Sequence, residues 1–517
     1  MFFPHNQSTT YLLNNCGEVV HTWTLADTMR PGNSVYLLEN GLLARCSRPN
    51  NILNDAIWAG GGGQFVDLVD WESDILNRFV LNNDSFRLHH DIEPLPNGNL
   101  LMIAWERIGE EDALLAGRKP ELIPNGEVWS EIIMEWNPEE DSIVWKWRVW
   151  DHLVQSQDEE LDNFGMVHGN YGKIDINYDE HNGHPDWLHI NSIDYNPVLD
   201  QIVLSVPYFN EFWIIDHSTS LEEARSDSGG VFGKGGQLLY RWGNPKTYIK
   251  NQETTQHLFF QHDVQWLNPL AQPGTNEFGK MVLFNNRYSD EYSVGMVVAT
   301  AIDLENNGYD TSEGIFLPEK EDLIIQHPED SPKDLSDGLS SIQSLPNGNW
   351  LVLYGRWGYA IELHPNNELV WEYIIPLKGG EPVTQGTELG SNNNLTFRFN
   401  RYPTDYPAFI NKDLENGYPL ELNPNNSFCG STPVNERLAD VTKWKITPNP
   451  ARDYFQLDFS EKHKIEFVKI YNVSGSLEAQ WNGKGMDNQN FDIGFLPSGF
   501  YLIQTNIGSQ PLIIQKN

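Results

Sequence analysis

The chain has 517 residues, too many for one compact core of ordinary size, so several domains or one large repetitive architecture must account for it. A formal charge of −38 argues against nucleic acid as a partner, because phosphate recognition needs clustered Lys and Arg and this surface repels a polyanion. Cys16, Cys46 and Cys429 allow at most one bridge, which excludes a disulfide-dense scaffold, and no apolar run is long enough to span a membrane.

The composition, with 18 Trp, 42 Gly and 30 Pro and repeated Asn-Gly and Pro-Asn pairs, suits closely spaced strands joined by tight turns. At the amino end, Met1 to Asn6 lacks a basic or apolar leader pattern, and Thr10 to Trp23 already reads as strand-turn-strand. The start is therefore expected to be truncated or processed.

Along the chain, two phrases alternate. The first is an apolar strand, a Pro-Asn-Gly-Asn type turn and a second apolar strand: His90 to Leu100, then His189 to Asn196 leading into Gln201 to Val206, then His262 to Pro269, then Ser340 to Trp350. The second ends on an aromatic: Thr10 to Trp23, Phe65 to Phe79, Ile132 to Trp147, Phe212 to Trp242 and Tyr359 to Tyr373. Two hairpins make a four-stranded unit, and units recurring every ~70 to 100 residues favour a β-propeller over a solenoid of shorter repeats. The expectation is an all-β chain with a six-bladed propeller over residues 1–421. The intervals Gly109 to Gly126 and Asp303 to Lys333 are expected to be loops on its faces.

Residues 422–440 turn to Asn, Pro, Ser and Gly and read as a linker. A small β-sandwich is expected over 441–517, from Trp444-Lys445-Ile446-Thr447-Pro448-Asn449-Pro450 through Val468-Lys469-Ile470-Tyr471-Asn472 to Leu496-Pro497-Ser498-Gly499-Phe500-Tyr501. Those three ordered motifs resemble the carboxy-terminal sorting domain of type IX secretion cargo. The resemblance implies the secretion machinery as a partner, and a secreted or cell-surface location after export across the outer membrane.

In a propeller, the first strand of each blade lines the central channel, so His90, His189 and His262, each opening its phrase, are expected to form a shared polar centre. Arg287 closes Leu283-Phe284-Asn285-Asn286-Arg287 on the strand after His262. Transfer of a sulfuryl or phosphoryl group needs a nucleophile, a proton donor for the leaving oxygen and a cation for the other oxygens. Imidazoles with Arg287 supply all three, and Asn191 and Asn286 are expected to add hydrogen bonds. The glycine clusters Gly60 to Gly63 and Gly229 to Gly236 precede no helix and no Gly-Lys-Ser/Thr step, so they read as flexible loops. His217 reads as a turn cap, and His168, His181 and His184 as surface residues.

The run Asp186-Trp187-Leu188-His189-Ile190-Asn191-Ser192-Ile193-Asp194-Tyr195-Asn196, with Ile215-Asp216-His217-Ser218-Thr219, Leu239-Tyr240-Arg241-Trp242-Gly243-Asn244-Pro245 and Gln261-His262-Asp263, resembles the arylsulfate sulfotransferase family over most of Phe2 to Phe409. The resemblance implies sulfuryl transfer from a phenolic sulfate ester to a phenolic acceptor, with no cofactor or nucleotide donor, through a transient sulfohistidine. It implies His189 and His262 as channel histidines and Arg287 as the sulfate clamp. Arg398 and Arg401, in Phe397-Arg398-Phe399-Asn400-Arg401-Tyr402, would add positive charge near the axis. The late unit opens with Ser340-Ser341 where a further imidazole is expected, which leaves the nucleophile open among His189, His262 and His90. Two other readings stand beside this one: a non-catalytic secreted propeller that binds a glycan or protein partner, and a His-ligated metal hydrolase or lyase.

Overall fold

The alternating phrases pair as strands in the computed structural model, which describes residues 1–250, 253–329, 331–414, 417–425, 444–459, 465, 467–472, 477–482, 490–505 and 508–516. Among the described residues up to 425, six antiparallel sheets of four or five strands follow one another along the chain. The first joins the two ends of the propeller region, because Phe2–Pro4 pairs with Thr396–Phe399 on one side and Thr9–Leu13 on the other. The next five open on Met29–Leu37, Phe86–Pro94, Ser192–Asn196, His262–Trp266 and Ser341–Ser344, and each then runs outward strand by strand. The expected second-phrase hairpins are their outer halves; Ile132 pairs with Arg148, and Tyr359 with Ile374.

Each sheet buries its faces on its neighbours. Apolar clusters join the first and second sheets through Trp23 and Val35, the second and third through Val66 and Met102, and the third and fourth through Trp147 and Ile202. Others join the fifth and sixth through Val282 and Ile361, and the sixth and first through Leu353 and Phe2. The fourth and fifth meet through hydrogen bonds between Ser192 and Val264 and between Asp194 and the Trp266 amide. This burial explains the strand patterns: Gln201–Val206 and Glu211–Asp216 are buried at every residue, whereas the outermost Leu369–Ile374 alternates.

The Asn-Gly-Asn turns have a further role. Gly98 and Gly348 take the left-handed conformation the turn requires (φ +88° and +83°). The flanking Asn97 and Asn99 amides donate to Glu135, and Asn347 and Asn349 donate to Glu362.

Two intervals differ from the expected loops. Glu110–Leu115 forms a short α-helix, and Leu323–Ile325 is the outermost strand of the fifth sheet. Their regular structure depends on distant strands, which local composition does not report. Cys46 is a buried free thiol and Cys16 is disulfide-bonded.

The carboxy-terminal unit has a three-stranded sheet (Trp444–Thr447, Tyr454–Phe459 and Phe491–Asp492) and a four-stranded one. The latter is ordered Leu477–Asn482, Phe467–Asn472, Gly499–Thr505, Gly508–Ile514. Phe455, Leu457, Val468, Ile470, Ile503 and Leu512 form the core of this unit. The linker expected at 422–440 lies outside the described residues beyond 425.

Candidate active site

Strand irregularity aims the histidines. The inner strands of the second, third and fifth sheets slip register between Pro31 and Val35, Leu88 and Ile92, and His262 and Gln265. The left-handed residues Asn33, His90 and Asp263 lie within these bulged starts, and His189 and Ser340, also left-handed, lie just before the inner strands of the fourth and sixth sheets. A bulge turns one side chain out of the regular pleat, and non-glycine residues at positive φ cluster where function fixes the backbone.

The three imidazoles come together. The rings of His90 and His189 lie 4.5 Å apart, edge to face, and Phe397 lies 6.0 Å from His90 and 6.3 Å from His262. His189 Nδ1 is held 2.5 Å from Asp186, whose other oxygen accepts from the Trp105 indole at 3.0 Å. Nε2 of His189 has no hydrogen-bond partner among the described residues.

His262 is engaged at both nitrogens. Its Nδ1–H donates to Asn286 Oδ1 at 2.8 Å and its Nε2 accepts from the Leu339 amide at 3.2 Å. Burial pushes its pKa down to about 3, so the ring is neutral. Burial also pushes His90 well below the ordinary value, with the neighbouring His189 adding to the effect.

Arg287 is exposed; its guanidinium stacks 3.9 Å above Phe260, and Nε donates to the Asp337 carbonyl at 3.2 Å. No carboxylate pairs with it among the described residues. Phe260 in turn stacks 5.7 Å from Tyr208, and Tyr208 lies 4.8 Å from His189, nearly parallel. One aromatic surface thus runs from the free cation to the free imidazole nitrogen.

The remaining residues expected at the site are placed differently. Arg398 is buried and forms ion pairs with both Asp91 and Asp263, the residues that follow His90 and His262. Burial opposes its charge, but Asp263 and Asp91 overcome that and hold its pKa above the ordinary value. It anchors the inner strands through these two ion pairs. Arg401 pairs with Glu362 and lies 4.7 Å over Trp371. Asn286 gives both amide protons to the carbonyls of Ser336 and Leu339, and Asn191 donates to the Gln261 carbonyl. Both amide protons of Asn286 are thus used within the frame.

Sequence reasoning missed Asp186, Tyr208, Phe260 and the pair His89–Glu131. Asp186 was legible as the residue three before His189 and His89 as the neighbour of His90; Tyr208 and Phe260 come from loops, and Glu131 from another strand of the sheet that carries His90. His217 is more than a turn cap: it bridges Asp200 at 2.8 Å and Glu135 at 3.0 Å. His181, in the loop read as surface, is exposed but lies 3.8 Å from Tyr208. Nor is the Gly60 to Gly63 segment free: the Gly61 carbonyl accepts from the His90 amide at 2.8 Å, and Gly63 donates to Leu88 at 2.8 Å. Among the described residues no three His, Cys, Asp or Glu side chains are grouped to hold a metal ion.

A family model described as arylsulfotransferase (ASST) matches residues 5–301, more than half of the chain. The chain belongs to the arylsulfotransferase family. The matched span contains His90, His189, His262 and Arg287. Residues 445–516 match a secretion system C-terminal sorting domain, which marks this arylsulfotransferase for export to the cell surface or beyond.

Similar solved structures include a protein of unknown function from Bacteroides caccae, at 11% identity over 72% of this chain and 92% of that one (TM-score 0.34). Another is the Myceliophteria thermophila Cps50 (Swd1) β-propeller domain, at 10% identity over 68% and 90% (TM-score 0.30). A third is the Dos1 propeller, at 8% over 96% and 86% (TM-score 0.27). No curated protein matches the chain.

Proposed function

We propose that a six-bladed propeller over residues 1–421 transfers a sulfuryl group from an aryl sulfate ester to a phenolic acceptor through an N-sulfonated histidine, and that 441–517 is the export domain. The observation that carries this reading is the state of His189: one nitrogen fixed by Asp186, the other without a hydrogen-bond partner among the described residues, beside a neutral imidazole.

In this scheme, Nε2 of His189 attacks sulfur as the S–O bond to the aryl group breaks. Asp186 holds the ring orientation and stabilises the charge that forms on it. His90 gives a proton to the departing phenoxide. Arg287 neutralises sulfate oxygens, while Phe260 and Tyr208 offer faces for the aryl ring. The acceptor phenol then attacks the sulfur on the sulfonated ring as the S–N bond breaks, and returns its proton to His90, restoring the site. Ser340 in the sixth sheet supports the same choice, since it removes a competing imidazole there.

The test is release of 4-nitrophenol from 4-nitrophenyl sulfate with a phenol acceptor and no nucleotide. Turnover is expected in the parent, with loss in His189→Ala and a fall of ~10²- to 10⁴-fold in Asp186→Asn, which no longer fixes the tautomer. Full activity in His189→Ala would end the assignment, and an inert but folded parent across a donor panel would end the transferase reading.

A further inference from the structure

Behind His90 lies a second titratable pair that the transfer scheme does not use. His89 is fully buried, stacked 4.0 Å on Trp105, with Nδ1 2.8 Å from Nδ1 of His90 and Nε2 2.6 Å from Oε2 of Glu131. Glu131, equally buried on the third strand of the same sheet, accepts the Ile190 amide on its other oxygen at 3.1 Å. Three groups therefore stand in one hydrogen-bonded line that ends on the ring facing His189.

A hydrogen bond between two Nδ1 atoms can carry only one proton, so the line has two arrangements, which differ by the one proton that leaves or enters at His90. In one, Glu131 is a carboxylic acid donating to His89 Nε2; His89 Nδ1–H donates to His90, and His90 bears its proton on Nε2. In the other, Glu131 is a carboxylate, His89 carries its proton on Nε2, His90 Nδ1–H donates to His89, and Nε2 of His90 has a lone pair.

Resting on the sulfotransfer reading above, we infer that Glu131 and His89 form a proton relay that recharges and discharges His90, making them positioning residues for its acid and base roles. When the aryl oxygen leaves sulfur, His90 Nε2–H passes to it, His89 Nδ1–H passes to His90, and the Glu131 proton passes to His89. The negative charge born on the phenoxide ends on the Glu131 carboxylate beside the Ile190 amide. Attack by the acceptor phenol runs the same shifts backwards, so protons and charge balance over the cycle.

Two features support a relay over a static pair. Burial, with Asp186 adding to it, raises the Glu131 pKa well above its ordinary value, and burial keeps both imidazoles neutral, so the proton has a resting place at the far end of the line. At the near end, Gly61 (φ +86°) lies against Nε2 of His90, where any Cβ would collide with that nitrogen. Glycine is the residue that leaves the reactive end of the line open.

The experiment compares Glu131→Gln with the parent on aryl sulfates of graded leaving-group basicity. Gln keeps the hydrogen bonds but locks the donor arrangement, because its amide cannot surrender a proton. In single-turnover release of the phenol without acceptor, phenyl sulfate is expected to react ~10²- to 10⁴-fold more slowly, while 4-nitrophenyl sulfate, whose leaving group needs little protonation, changes less than about threefold. An equal loss on both donors, or no loss on either, overturns the relay. Parent protein with ¹⁵N-labelled histidine gives a readout independent of turnover: neutral His89 and His90 sharing one Nδ1 proton are expected, and an imidazolium at either ring near neutral pH overturns the relay. If the parent turns over no aryl sulfate, the transferase reading falls while the ¹⁵N spectrum still decides the relay.

Discussion

Two arginines near the axis look interchangeable in the sequence and are opposite in physics. Arg398 is buried between Asp91 and Asp263, and removing it would leave buried carboxylates unpaired in a region where burial already raises Asp263 to about 6 and Asp194 to about 7. Arg398→Met is therefore expected to cost about 3 to 5 kcal/mol in denaturant unfolding. Arg287 is exposed and rests on Phe260, so Arg287→Met is expected to change stability by less than about 1 kcal/mol while raising KM and lowering kcat for an aryl sulfate. If Arg287→Met destabilises as much as Arg398→Met, the separation between clamp and anchor is wrong. The histidines were legible because each opens a repeated phrase. Their tautomers were not, because these depend on contacts with Asp186, Asn286 and Leu339 that only the folded chain sets.

At the scale of elements, the glycine segment and the outer-strand contacts each carry a prediction. Gly61 sits in left-handed backbone against His90, so Gly61→Ala is expected to displace that ring and cut turnover at least tenfold, with a stability loss on the order of 1 kcal/mol. Unchanged kinetics in that variant would show that the segment does not shape the site.

Between the third and fourth sheets, hydrogen bonds to Asp200 and Glu135 outweigh the opposing effect of burial and raise His217 to about 9. The folded pKa stands above the unfolded value of ~6.5, so the stabilisation is fully present below that value and is lost as pH rises through about 9. A fall on the order of 2 kcal/mol in unfolding free energy across that window is expected. The fall should be absent in His217→Gln. Strand hairpins were readable from alternation and turn residues, since these are local. The outermost strand at Leu323–Ile325 and the helix at Glu110–Leu115 were not, because each borrows its stability from residues far away in the chain.

For the whole molecule, the two units have separate cores, one in the interfaces between successive sheets and one around Phe455, Ile470 and Ile503. A chain ending at residue 440 is therefore expected to melt within a few degrees of the parent and to keep its aryl sulfate turnover in vitro, while failing to reach the cell surface. Loss of the melting transition on that truncation would tie the two cores together.

The sequence by itself determined the all-β class, the alternating hairpins and the export domain, because strand period, turn residues and short motifs are properties of neighbouring positions. Only the tertiary structure decided which imidazole nitrogen is free, which arginine is neutralised, and that Thr396–Phe399 pairs with Phe2–Pro4 to join the ends. Those outcomes turn on distances of a few ångströms between residues up to hundreds of positions apart, and hydrogen bonding and desolvation act on that separation alone.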